Sequence, residues 1–468
     1  MYMHMRGGER GMAPTLQDYA ALVQEAREFE LPVLSRRADI MGPLPAPAVF
    51  NLVHIITGIR RCGKTFYAFQ LMSDLLRSGV PRDRMFYFNF ADDRLKPAPA
   101  SLLNDILEEY WRQVPQARRE GAYLFLDEVQ EADNWQGFCQ RVAEHERVTL
   151  VITGSSSKLS SDEIATSFRG RSQEHPMFPL SFREFCEFKG LAAPEADELR
   201  HAGTVSPQVR TQLEASFDEY LTRGGFPGVQ KLSDPDCISM LQAYMRDVVA
   251  RDVVERYGRL DISLVNQVAL FGLRNTACDL SINKLVEGLR SVGYKTSWDT
   301  VNEVVRLFCQ AHLFSLLPEY SVALSPDSTQ VQKVYAIDPG MAYATARANQ
   351  QDIGKRLETA IYIELMRRMA GSRVEAVTSY TVPSAKKEKV DFLVGDALAL
   401  EPYALYQVTV DMTAEKTRRR ELGSLEAAML KTGIANGTVI TLREEGSAQV
   451  AGGQVAIIPA WKWALLGV

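Results

Sequence analysis

Residues 58 to 65 read Gly-Ile-Arg-Arg-Cys-Gly-Lys-Thr, the spacing G-x-x-x-x-G-K-[ST] of a phosphate-binding loop. The chemistry needs those types at those places. Gly58 and Gly63 let the chain curl so that several backbone N–H groups converge on one anion. Lys64 supplies a point charge for the β- and γ-phosphates, and the Thr65 hydroxyl can ligate Mg²⁺. The candidate nucleotide-binding set is therefore Gly58, Arg60, Arg61, Cys62, Gly63, Lys64, Thr65 and Phe66. A second group of reactive types is Asp127-Glu128, which closes the apolar run Ala122 to Leu126. Asp127 at a strand end can hold the water shell of Mg²⁺, and Glu128 can polarise the attacking water as a general base.

These side chains need a parallel α/β sheet to position them. Leu52 to Thr57 is an apolar strand that empties into the loop, and a helix from Lys64 to about Leu76 turns its positive dipole end toward the phosphates. Met85 to Phe90 is a further strand, Ser101 to Arg112 an amphipathic helix, and Val148 to Thr153 another strand ending in Gly154-Ser155-Ser156-Ser157. A strand ending in Asp-Glu is a weak signal by itself; some sixty residues after a phosphate loop it is a strong one. Ser155 is the candidate γ-phosphate sensor, with Thr153 and Ser156 as equivalents and a plain serine-rich turn as the alternative. Arg171, in Phe168-Arg169-Gly170-Arg171, is the candidate arginine finger; the competing reading is a salt-bridged solvated face.

The ordered set G-I-R-R-C-G-K-T, F-L-D-E-V-Q, I-T-G-S-S-S, R-G-R and P-L-S-F-R-E-F (Pro179 to Phe185) resembles a bacterial and archaeal AAA+-type ATPase family, related to STAND switch ATPases. Members carry a C-terminal domain of unknown function. The resemblance implies three further roles. Asn89 would hold the catalytic Glu128 off until a ligand binds. Pro227, in Arg223-Gly224-Gly225-Phe226-Pro227, would lie near the adenine like the G-G-x-P element. Arg171 would act across subunits, which implies a homo-oligomer, either a dimer or a ring such as a hexamer. Cys62 departs from the commoner Ser or Ala and leaves a thiol that alkylation could block.

Three parts are expected: a P-loop AAA+-type domain over 1–232, a helical and winged-helix-like domain over 233–345, and an α/β restriction-endonuclease-like domain over 346–468. In the middle part a long helix, Asp236 to Tyr257, precedes three helical segments, Ile262 to Leu273, Ser281 to Leu289 and Ser297 to Gln310, with Ser281 and Ser297 as N-caps. Two strands then follow, Leu313 to Leu317 and Val331 to Ile337, which is winged-helix order. Its recognition helix offers Asn302 and Arg306 to DNA but also Asp299 and Glu303, which repel phosphate. The last part runs helix, hairpin, strand, helix and resembles the P-D/E-x-K nuclease fold. Glu358 and Asp391 match its first two acids, but Gln407 and Thr409 stand where Glu-x-Lys is needed. A neutral amide is a poor Mg²⁺ ligand, so the expectation is a nuclease-shaped domain without nuclease activity. Lys386, Lys387, Lys389, Lys416, Arg418, Arg419 and Arg420 are its candidate phosphate-backbone contacts.

Composition narrows the classes. At 468 residues several domains are expected. A net charge of −5 excludes a globally basic nucleic-acid coat, so any DNA contact must be a local patch. No apolar run nears the ~20 residues that span a bilayer, and six scattered cysteines without a C-x-x-C pair favour reduced thiols over structural zinc. The expectation is a cytoplasmic Mg²⁺- and ATP-dependent motor that remodels or translocates on DNA, branched DNA included. The alternative is a nucleotide-gated switch or scaffold regulating a protein partner.

Overall fold

The computed structural model describes residues 15–154, 168, 170–200, 205–255, 260–320, 332–345, 352–372, 375–383, 388–396 and 398–467. Two compact units emerge, Met1–Gly58 with Gly63–Met177, and Ile59–Cys62 with Phe178–Val468.

The first unit is built on a parallel sheet of β1 (Val53–Thr57), β2 (Met85–Asn89), β3 (Ala122–Asp127), β4 (Val148–Thr153) and β5 (Ser172–Pro176), in the order β2-β3-β4-β1-β5. Every residue of β1, β3 and β4 is buried, as expected of parallel strands covered by helices on both faces. The helix Leu16–Glu28 opens with a Thr15/Asp18 capping box and inserts Tyr19, Leu22 and Val23 into a core shared with Phe86, Tyr110 and Leu124. Each such fully buried apolar side chain stabilises by about 1.5–3 kcal/mol. The helix Leu102–Gln113 buries Leu103, Ile106, Leu107 and Tyr110, an i, i+3, i+4, i+7 stripe. β5 reads Ser-Gln-Glu-His-Pro and sits at a sheet edge, so it carries no apolar signature.

The second unit holds two sheets. The helix Asp234–Asp247 continues into a π-helical stretch, Val248–Val254. Next come the helix Ile262–Arg274, β6 (Cys278–Leu280), the helices Ile282–Ser291 and Trp298–Gln310, β7 (Phe314–Leu317) and β8 (Gln332–Ala336). Ser281 and Ser297 cap the two helices, accepting from Lys284 N at 3.4 Å and Thr300 N at 3.2 Å. The three strands form an antiparallel sheet ordered β6-β8-β7. Beyond the helix Ile353–Arg368 lie β9 (Glu375–Thr381), β10 (Lys389–Asp396) and β11 (Glu401–Val408). The helix Glu415–Thr432 leads to β12 (Asn436–Thr441), β13 (Gly446–Val450) and β14 (Gly453–Pro459). This sheet is mixed, ordered β13-β14-β12-β11-β10-β9, with β11 parallel to β12. All six cysteines are free. Among the described residues, no helix is long and apolar enough to cross a membrane.

Candidate active site

β1 delivers the loop and β3 delivers the acids. Gly58 and Gly63 have φ of 145° and 109°, which a side chain would strain, so glycine is required at both bends. The Lys64 side chain is buried and folds back over the curl, its Nζ donating to the Gly58 carbonyl at 2.9 Å. Thr65, on the first turn of the helix Lys64–Arg77, donates its hydroxyl to Asp127 Oδ2 at 2.8 Å. Loop and acid therefore meet, as the motifs require.

Asp127 is only 2 % exposed, and three hydroxyls converge on its carboxylate. Besides Thr65, Tyr87 donates to Oδ2 at 2.8 Å and Thr153 donates to Oδ1. Burial, reinforced by the Asp127 charge, pushes the Tyr87 phenol far up, so it remains a donor at any working pH. Tyr87 was not among the candidates read from the sequence. Its signal was a hydroxyl-bearing ring two residues before Asn89 on the strand adjoining β3, hence on the face Asn89 shares.

The remaining candidates fall around this centre. Glu128 leaves the strand in a left-handed conformation, φ 51°, and accepts a hydrogen bond from Gln130 Nε2. Asn89 is in register with Asp127, but its Oδ1 accepts from Ala91 N at 2.9 Å; Gln130 is the side chain that meets Glu128. Ser155 and Ser156, the sensor candidates after β4, lie outside the described residues, as does Arg169; Thr153, their alternative, touches Asp127 directly. Phe66 is 55 % exposed. Arg171 immediately precedes β5 and pairs with Glu144. Because Ser172 aligns with Val53 and Pro176 with Thr57, Arg171 sits at the strand end opposite the loop. At 3.3 Å per residue that is about 20 Å from Gly58 of its own sheet.

The crown of the loop clusters with the second unit. Arg60 Nε lies 3.0 and 2.9 Å from the two oxygens of buried Asp252, in the π-helical stretch. The Arg61 guanidinium lies 5.9 Å from the centroid of the Tyr244 ring, and Cys62 is fully buried. In the same unit, Gly225 N donates to Asp338 Oδ2 at 2.6 Å, and Gly225 O accepts from Leu180 N at 2.6 Å. These bonds fix the Gly224-Gly225-Phe226-Pro227 turn. Burial of Asp338 raises its carboxyl to about 6.

Glu358 and Asp391 are also brought together. The Lys333 ammonium bridges them, 2.8 Å from Glu358 Oε1 and 3.0 Å from Asp391 Oδ1. Gln407 Nε2 donates to Glu421 Oε2 at 2.8 Å. Among the described residues, no group of three or more His, Cys, Asp or Glu is placed to hold a metal ion. Arg306 is tied to Glu303 at 2.6 Å, Arg419 to Glu415, and Arg420 to Glu421. Lys386 and Lys387 lie outside the described residues.

Residues 51–186 match a family model described as an AAA domain, and residues 214–352 match one described as a domain of unknown function (DUF8612). An uncharacterized protein of Methanocaldococcus jannaschii is 29% identical over 455 residues, 96% of each chain. An uncharacterized protein of Haemophilus influenzae is 27% identical over 319 residues, 68% of this chain and 75% of its own. A solved Walker-type ATPase of Pyrococcus abyssi aligns with a TM-score of 0.40 and 11% identity, covering 71% of this chain and 95% of that one. With the phosphate loop, the acid pair and the five-stranded parallel sheet in place, the segment 51–186 has the α/β fold of a P-loop AAA+-type domain.

Proposed function

We propose that the chain is an Mg²⁺-dependent ATPase of the cytoplasm that works as a homo-oligomer and spends its cycle on DNA held by residues 233–468. The observation that carries the hydrolytic part is the 2.8 Å bond between Thr65 and Asp127 beside Lys64. A hydroxyl and a carboxylate are hard oxygen donors. They suit Mg²⁺, which is usually held by one or two carboxylates together with substrate phosphates. That ion would supply charge neutralisation at the transferring phosphoryl group. In this reading the N–H groups of Arg60, Arg61 and Cys62 and the first-turn residues around Phe66 bind phosphate. Pro227 borders the base, Glu128 orients water, and Ser155 or Thr153 senses the γ-phosphate. Arg171, 56% exposed in its side chain, acts on a neighbouring subunit.

The DNA part is supported by element order. Helix, strand, two helices and two strands over 262–336 follow the winged-helix plan. Helix, three strands, helix and a parallel strand over 353–441 follow the P-D/E-x-K nuclease plan. Gln407 and Thr409 in place of Glu-x-Lys support loss of cutting with retention of shape. Exposed Lys416 and half-buried Arg418 supply positive charge at the start of the helix Glu415–Thr432.

The rival reading, a nucleotide-gated switch on a protein partner, is favoured by two contacts. Glu303 neutralises Arg306 on the would-be recognition helix, and Asp252 ties down Arg60 of the phosphate loop. ATPase rates with and without branched, duplex and single-stranded DNA separate the two. Stimulation supports the motor; neither stimulation nor low-salt binding removes DNA from the account.

A further inference from the structure

Lys333 belongs to the short antiparallel sheet, yet its side chain ends between an acid of the helix Ile353–Arg368 and an acid of β10 in the six-stranded sheet. Its Nζ donates to Glu358 Oε1 at 2.8 Å and to Asp391 Oδ1 at 3.0 Å. The three side chains are 11, 16 and 13 % exposed, so little water screens them. Tyr335, two residues along β8 and on the same face, donates to Glu358 Oε1 at 2.6 Å. The other oxygen of Asp391 accepts from Val408 N at 3.0 Å. Gln407 is committed as well, accepting from Asp391 N at 3.3 Å while donating to Glu421.

An ammonium so placed leaves no room for a second cation. A divalent ion binds carboxylate oxygens at about 2.0–2.6 Å. Shared by the same two oxygens, it would stand almost on top of Nζ and meet its full charge. Burial alone would drive the lysine toward neutrality, but Asp391 and Glu358 outweigh it and hold the ammonium charged. Burial and the Asp391 charge in turn raise Glu358 to about 7.

We propose that Lys333 is a built-in cation standing where a divalent ion would otherwise sit between Glu358 and Asp391. The carboxylate pair then clamps β8 to the six-stranded core instead of binding metal, and removing the ammonium uncovers a divalent-cation site. The clamp spans 25 and 58 residues of sequence, joining the last strand of one sheet to a helix and a strand of the next part of the chain.

The test is a Mn²⁺ titration of the full, nucleotide-free chain, followed by electron paramagnetic resonance, and it does not depend on ATP turnover. Wild type and Glu358→Gln should bind the same number of ions. Lys333→Met should gain one ion and lose it again when Asp391→Asn is added. Near-UV circular dichroism checks folding, and Lys333→Gln replaces the Met variant if that one is unfolded. A wild-type site that disappears in Glu358→Gln overturns the proposal. So does a folded Lys333 variant that gains no ion, or Mg²⁺-dependent DNA cleavage by wild type that Asp391→Asn abolishes. If no Lys333 variant folds, the comparison of wild type with Glu358→Gln decides alone.

Discussion

Tyr87 donates its hydroxyl to Asp127 at 2.8 Å from the neighbouring strand, on the same carboxylate oxygen that Thr65 reaches from the phosphate loop. The acid is therefore aimed from two sides, with Thr153 holding its other oxygen. A hydrogen bond to a charged group contributes about 1.5–3 kcal/mol. Tyr87→Phe keeps the ring packed between Phe29 and Phe69 and removes only the donor. Its kcat for ATP should fall about tenfold, each 1.36 kcal/mol being a factor of ten. The concentration of Mg²⁺ giving half-maximal rate should rise, a shift that a purely structural loss would not produce. Steady-state kinetics across a Mg²⁺ series reads both.

Lys64→Ala removes the charge folded over the loop and should bring hydrolysis to background with weakened nucleotide binding. Glu128→Gln should behave differently. The loop is intact, so ATP stays bound, but loss of the general base slows turnover by about 10²–10⁴-fold. Equilibrium binding of a fluorescent ATP analogue, set beside phosphate release, separates the two phenotypes. Near wild-type turnover in either variant would mean that its role is misassigned.

Acid should weaken the first unit through His54. Its ring lies 3.2 Å from His175 on the adjacent edge strand, and burial, then the His175 charge, lowers its pKa to about 4. With a folded value below the ordinary ~6.5, stability is complete above pH 6.5 and is lost as pH falls toward 4, because the unfolded chain takes up the proton first. The loss is a few kcal/mol at most, at about 1.4 kcal/mol per pKa unit and reduced by partial solvent screening. Urea midpoints should drop over that window in wild type. His54→Gln should flatten the drop, and equal slopes would remove His54 as the cause.

Local motifs were readable because their chemistry is local. The phosphate loop, the Asp127-Glu128 strand end, the caps Ser281 and Ser297 and the strands β1 to β4 all follow from residues within a few positions of each other. Contacts that depend on strand register were not readable. Tyr87 meets Asp127 only because β2 and β3 pair with Asn89 opposite Asp127. Arg60 and Asp252 are separated by 192 residues, and nothing near either one announces the other. A long helix was expected over Asp236 to Tyr257; α-helix ends at Asp247 and π-helix carries Asp252. β5 escaped notice because an edge strand of Ser-Gln-Glu-His-Pro has no apolar alternation. Lys333 did leave a trace, a cation in the otherwise strand-like run Val331 to Ile337. Its partners came only with the fold.

The most direct measurement is phosphate release from ATP by the full chain over a Mg²⁺ series, for wild type and Asp127→Asn. Saturable, Mg²⁺-dependent release by wild type that falls to background in a folded Asp127→Asn variant is the expected result. Undiminished release by that variant, or release by wild type that ignores Mg²⁺, would contradict the assignment of Thr65 and Asp127 to one nucleotide site.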